Sequence, residues 1–140
     1  MLRVTALLFA FAFATSNGFL AGGWSPMDPG SEQAKEVAHK SLADRNAKTD
    51  SVYHDMLIKI VEATTQVVNG INYELKMYIG QSTCTKKDVK PEEVHSKCKL
   101  SDGDSAQKCK VNVYEQPWTN IFEVNEFSCK SATRQEALQA

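Results

Sequence analysis

Four cysteines, three histidines and a scatter of carboxylates are the residues of this 140-residue chain that could carry covalent, metal or acid–base chemistry. Their spacing argues against all three. Cys84, Cys98, Cys109 and Cys129 lie in the second half, with no Cys-x-x-Cys pair and only His95 near one of them. A zinc site, which needs clustered N and S ligands, is therefore not expected. An even cysteine count behind an apolar leader implies disulfides instead, and pairing withdraws every thiolate from nucleophilic work. Four cysteines allow three connectivities, and spacing alone does not choose among them. Sequential pairing would close two short loops, each stabilising by about 3 kcal/mol on the chain-entropy model. His39, His54 and His95 fall on a helical stretch, at a strand start and in a polar segment, none beside a nucleophile. No glycine-rich phosphate loop and no His-Glu-x-x-His spacing occurs. No catalytic residue, metal or cofactor is expected.

The remaining chemistry is recognition. Gln66-Val67-Val68-Asn69-Gly70 sets two apolar side chains beside an Asn-Gly dipeptide, the strongest short signal for a tight hairpin. Pro117-Trp118 places a tryptophan directly after a turn proline, and Gly22-Gly23 follows Leu20-Ala21 near the N-terminus. Apolar groups at loop tips, where polar ones are usual, suit the pocket of a partner.

The elements that must position these residues can be read from periodicity. Met1-Leu2-Arg3, an apolar run from Val4 to Ala14 and the small residues Ala14-Thr15-Ser16 form a secretory signal peptide, assigned to residues 1–18 with cleavage near Ser16 or Gly18. That run is too short to span a membrane. Residues 19–140 are then one domain. Segment 17–30, rich in Gly, Pro, Ser and Asn, reads as extended or mobile. Ser31 can cap a helix over 31–47, whose apolar stripe is Ala34, Val37, Ala38, Ser41 and Leu42. Residues 52–68 favour a strand, although helical spacing also fits Met56 to Val61. Positive φ at Asn69 and Gly70 would turn the chain into a second strand, Ile71 to Ile79, with Tyr73, Leu75, Met77 and Ile79 on one face. Residues 85–106 are polar and read as an irregular surface excursion. A third strand begins at Lys110, with Val111 and Val113 on one face. Gln116-Pro117 interrupts it, because proline cannot donate to a ladder. Thr119 to Cys129 returns, with Ile121, Glu123, Asn125 and Phe127 alternating against Phe122, Val124 and Glu126. Residues 130–140 read as a frayed polar tail. One helix and two hairpins make an α+β fold with the helix across one face of an antiparallel sheet. Both hairpin turns would lie at one end of that sheet, within reach of the N-terminal segment.

Charge adds an exclusion. Removing the leader with Arg3 leaves 15 basic residues against the 17 acidic ones, a net −2. That balance gives no electrostatic case for nucleic acid or an anionic membrane as partner.

On these residues the chain resembles the cystatins, specifically the secreted, two-disulfide type. The matching motifs are Gly22 or Gly23, Gln66-x-Val68-x-Gly70 and Pro117-Trp118, supported by Leu20-Ala21-Gly22-Gly23, Gly70-Ile71-Asn72-Tyr73 and Ser82-Thr83-Cys84-Thr85. The resemblance implies one long helix packed across a curved antiparallel sheet of about five strands, with sequential bridges Cys84–Cys98 and Cys109–Cys129. It also implies tight, reversible inhibition of papain-like cysteine proteases of the cathepsin kind. Leu20 and Ala21 would occupy the non-primed side of the cleft. Gly22 or Gly23 would turn the chain away from the nucleophile, Val67 to Gly70 would cover the catalytic centre with Gln66 also in the protease-binding set, and Trp118, after Pro117, would pack on the primed-side rim. The alternative reading is a non-inhibitory cystatin-fold binding or carrier module, which usually lacks the loop motifs that are intact here. Monomer is the expected state, with strand exchange through the first hairpin as the family's route to a dimer. Some members inhibit legumain through an asparagine that aligns here with Asp50, so legumain is not an expected partner. The chain also departs from the pattern in its Trp24-Ser25 insertion, a longer first disulfide loop and extra residues after Cys129.

Overall fold

The computed structural model describes residues 23–140; the signal-peptide assignment and Leu20, Ala21 and Gly22 lie outside the described residues. Five antiparallel strands form one sheet in sequence order: β1 (Trp24–Met27), β2 (Tyr53–Val68), β3 (Gly70–Thr85), β4 (Ser105–Gln116) and β5 (Ile121–Thr133). Helix α1 (Glu32–Lys48) lies between β1 and β2 in the chain, with two short helices, α2 (Val94–Lys97) and α3 (Arg134–Gln139), later. Segment 24–27, expected to be extended or mobile, is an edge strand. Pro26 is tolerated there because its missing N–H costs no ladder bond that a central strand would need.

Helix α1 starts where the sequence signals it. The Ser31 hydroxyl accepts from the Ala34 amide at 3.2 Å, satisfying one of the donors the first turn leaves open. Ala34, Val37, Ala38 and Leu42 then pack against Tyr73, Leu75, Met77, Ile79, Val111 and Val113, all of them buried. The alternation along β3 decides which face meets the helix. The ambiguous stretch Met56 to Val61 is strand. Register shifts near Tyr53, Leu57 and Ile60 mark bulges, which bend a strand, so that β2 curves along the helix. The cysteines pair sequentially, Cys84–Cys98 and Cys109–Cys129.

Four expectations change. At the first hairpin Val68 pairs with Gly70 around a single residue, and only Gly70 has positive φ (121°), so a two-residue Asn-Gly turn is not what forms. In β5 the pairing jumps from Asn112↔Glu126 to Val113↔Val124, leaving Asn125 as an extra residue. The bulge moves Phe127 onto the same packed face as Phe122 and Val124, which simple alternation had placed opposite. The polar excursion contains a 3-10 turn (Pro91–Glu93) and α2, with Val94 buried beneath them. Finally, the residues read as a frayed tail continue β5 to Thr133 and wind into α3. The Thr133 hydroxyl caps that helix at the Glu136 amide (3.0 Å), the Arg134 amide donates to Asp104 O (2.7 Å), and Ala137 is fully buried.

Candidate inhibitory edge

The β2–β3 and β4–β5 turns meet at one end of the sheet because β3 and β4 are neighbours in register, Ile71 opposite Glu115. The second turn is a 3-10 turn (Pro117–Thr119) closed by Asn120 in the left-handed region (φ 54°), a conformation asparagine tolerates. Proline suits its first position, where an amide would have no helical acceptor.

Side chains of β4 tie the two turns together. Asn69 O accepts from the Gln116 amide nitrogen (2.8 Å) and from the Tyr114 hydroxyl. The same Gln116 nitrogen lies 2.5 Å from the Tyr114 oxygen, and Gln116 Oε1 accepts from the Thr119 hydroxyl at 2.9 Å. One glutamine thus spans both turns. Behind the first turn, Asn72 donates to Gln66 Oε1 at 3.0 Å. A Cβ on Gly70 would stand 2.8 Å from Glu115 O and from the Tyr114 ring, so only glycine permits this approach of the two hairpins.

The tips themselves face outward. Val68 is 43% exposed and Trp118 66%, values far above those of the apolar residues beneath them. Residues 66–70 and 116–120 include no ionisable side chain. The nearest charge, Glu115, is engaged by Lys40 at 3.6 Å. The edge therefore offers apolar side chains and backbone polar groups with no charge to desolvate, an arrangement suited to filling a cleft.

Gly23 leads directly into β1, where Trp24 pairs with Gln66, so the N-terminal segment arrives beside the first turn. The structure thus brings together Gly23, Gln66, Val67, Val68, Asn69, Gly70, Pro117 and Trp118. Tyr114, Gln116 and Thr119 join them, residues that sequence reasoning left out. Tyr114 lies opposite Asn72, a placement legible only once the β3–β4 register is known.

Among the described residues no histidine or free thiol stands at the edge, and its carboxylate, Glu115, is paired with Lys40. Among the described residues every cysteine is in a disulfide, and no cluster of three metal-ligating side chains exists. His54 is buried with Nε2 2.6 Å from Val89 O. His39 stacks on His95, ring centroids 3.7 Å apart, between α1 and α2. Burial first, then electrostatic opposition from the neighbouring His95 and Lys35, hold His39 down at about 4 against an ordinary 6.5, while Glu32 pulls the other way. These groups brace the fold away from the edge.

A family model of the cystatin domain matches residues 22–118, a span that contains Gly22 and Gly23, the whole first turn and Pro117-Trp118 of the second. The chain belongs to the cystatin family. Cystatins are known as cysteine-protease inhibitors. It is 33% identical over 116 residues to L-cystatin of Tachypleus tridentatus, covering 83% of this chain and 86% of that protein. It is 31% identical to onchocystatin of Onchocerca volvulus, over 79% of this chain and 68% of that one. The crystal structure of a salivary cystatin from the soft tick Ornithodoros moubata superposes with a TM-score of 0.68 at 29% identity, covering 79% of this chain and 99% of that one. The five-stranded sheet and its helix are thus the cystatin fold.

Proposed function

We propose that this cystatin is a secreted inhibitor that plugs the active-site cleft of papain-like cysteine proteases, reversibly and without forming a covalent bond. The convergence of Gly23, Val67-Val68 and Pro117-Trp118 on one uncharged sheet end, locked by Gln116 and Tyr114 onto Asn69 O, carries the reading. The turns present apolar surface that is already rigid, so little conformational entropy is lost on binding. Leu20 and Ala21 extend the contact on the non-primed side. Gly22 or Gly23 steers the chain past the nucleophile, and Val67 to Gly70 sit over the catalytic centre, with Gln66 beside them. Two disulfides, together with the signal-like leader of the sequence, support a site of action outside the cell. Legumain is not a target, because Asp50 occupies the position where that inhibition takes an asparagine.

The test is an inhibition titration of papain and cathepsins with the wild type and Trp118→Ala. Wild type should inhibit stoichiometrically at micromolar protein or below, and Trp118→Ala should lose about 2–4 kcal/mol of binding. No inhibition by wild type refutes the reading; an unchanged constant for Trp118→Ala removes that residue from the interface.

A further inference from the structure

The exposed large apolar residues among those described are Trp24, Val52, Tyr53, Val67, Val68, Trp118 and Leu138. Val52 and Tyr53 lie at the far end of β2, and Leu138 on α3. The other four gather at the inhibitory edge. Three belong to its two turns, and the fourth, Trp24, stands in the Trp24-Ser25 insertion that the cystatin pattern leaves unexplained.

Trp24 is held, not tethered. It is hydrogen-bonded into the sheet opposite Gln66, while Met27 of the same short strand packs on the core. Along β1 exposure alternates, with Ser25 and Met27 turned inward and Trp24 and Pro26 outward. Pairing carries the outer face across the sheet from Trp24 to Gln66, Asn72 and Tyr114, one residue per strand. This rung holds the Asn72–Gln66 bond; its fourth residue, Tyr114, reaches Asn69 O, and it ends on Glu123 of β5. Trp24 is 48% exposed, leaving on the order of 100 Å² of the residue to water. It continues the apolar edge from the first turn toward the N-terminal segment, and no charged residue stands in the rung between Trp24 and Tyr114; the rung's one charge, Glu123, is at the opposite edge of the sheet.

We propose that Trp24 is a further anchor of the edge, packing on an uncharged, apolar wall of the protease cleft on the non-primed side. It would thereby select among papain-like enzymes. The inference rests on the inhibitor reading above. A protease with a charged wall there would have to desolvate that charge against the indole and would be disfavoured. Because the ladder fixes the strand in advance, the contact acts mainly on dissociation.

Inhibition kinetics across a panel of papain-like proteases, for wild type and Trp24→Ala, provide one arm. The other is 19F NMR of 5-fluorotryptophan-labelled wild type, with the two resonances assigned through Trp24→Phe. The variant should dissociate about tenfold faster from the best-inhibited enzyme, and its preference among enzymes should narrow. The Trp24 resonance should shift and lose its solvent isotope effect in the complex. An unmoved resonance, together with inhibition constants within about twofold of wild type, would overturn the proposal while wild type still inhibits. If Trp24→Ala misfolds, the resonance of the labelled wild type decides alone. Absence of inhibition by wild type refutes the inhibitor reading, and this inference with it.

Discussion

Gly70→Ala tests the geometry of the edge from inside. The residue sits at φ 121°, where an L side chain is strained by about 1–3 kcal/mol. Its new Cβ would lie 2.8 Å from Glu115 O and from the Tyr114 ring. The ring can swing aside, but the carbonyl belongs to β4 and cannot turn without breaking the ladder. Relief therefore requires the hairpin tips to part, which gives up the Tyr114 and Gln116 bonds to Asn69 O at about 0.5–1.5 kcal/mol each. Lower chain entropy in the unfolded state returns about 0.4–1 kcal/mol. The balance is a loss centred on about 3 kcal/mol, between about 1 and 6, divided between stability and binding. Urea unfolding and the inhibition constant against a papain-type enzyme, measured on the same preparation, capture both shares. If the tips part locally, stability falls only by the lost bonds less the entropy returned, about 1 kcal/mol, and inhibition weakens further, on the order of a hundredfold in total. A variant with both quantities unchanged would show that neither the positive φ nor the close approach constrains the edge.

Two further outcomes concern the scaffold. The folded pKa of His39 is held at about 4, below its ordinary 6.5, so between those values the unfolded chain takes up a proton that the folded one refuses. This part of the stability is present above pH 6.5, declines as pH falls toward 4 and levels off below; His39→Gln should flatten that slope in urea unfolding, and identical pH profiles would remove His39 as its source. Replacing Cys109 and Cys129 by serine opens a loop spanning 20 positions and should lower unfolding stability by about 3 kcal/mol, whereas an unchanged urea midpoint would show that the sheet does not need the bridge.

Much of this architecture is legible in the sequence wherever one period runs unbroken. The stripe of α1 and the alternation Tyr73, Leu75, Met77, Ile79 mark their elements because each buries a single face for its whole length. Legibility fails where one residue changes the count. Asn125 is an extra residue in β5 and carries Phe127 to the other face, and a bulge leaves no mark in a period of two. The four residues of β1 are too few to show alternation, so Trp24 reads as an insertion until pairing sets it opposite Gln66. The tail looks polar because long-range bonds order it, Arg134 to Ser105 O (3.0 Å) and Tyr78 to Glu136 (3.1 Å), which no local pattern announces. At the edge, the motif residues are visible by type, while Tyr114 and Gln116 acquire their place only through the register of β4 on β3.

Hydrogen exchange of the 1:1 complex with an active papain-like protease, compared with the free protein, asks directly which surface is covered. Protection confined to residues 23–25, 66–70 and 116–120, with α1 and the α2 region unchanged, is the predicted footprint. Protection centred on α1, α2 or α3, with the two turns exchanging as in the free chain, would contradict the wedge and require another binding surface.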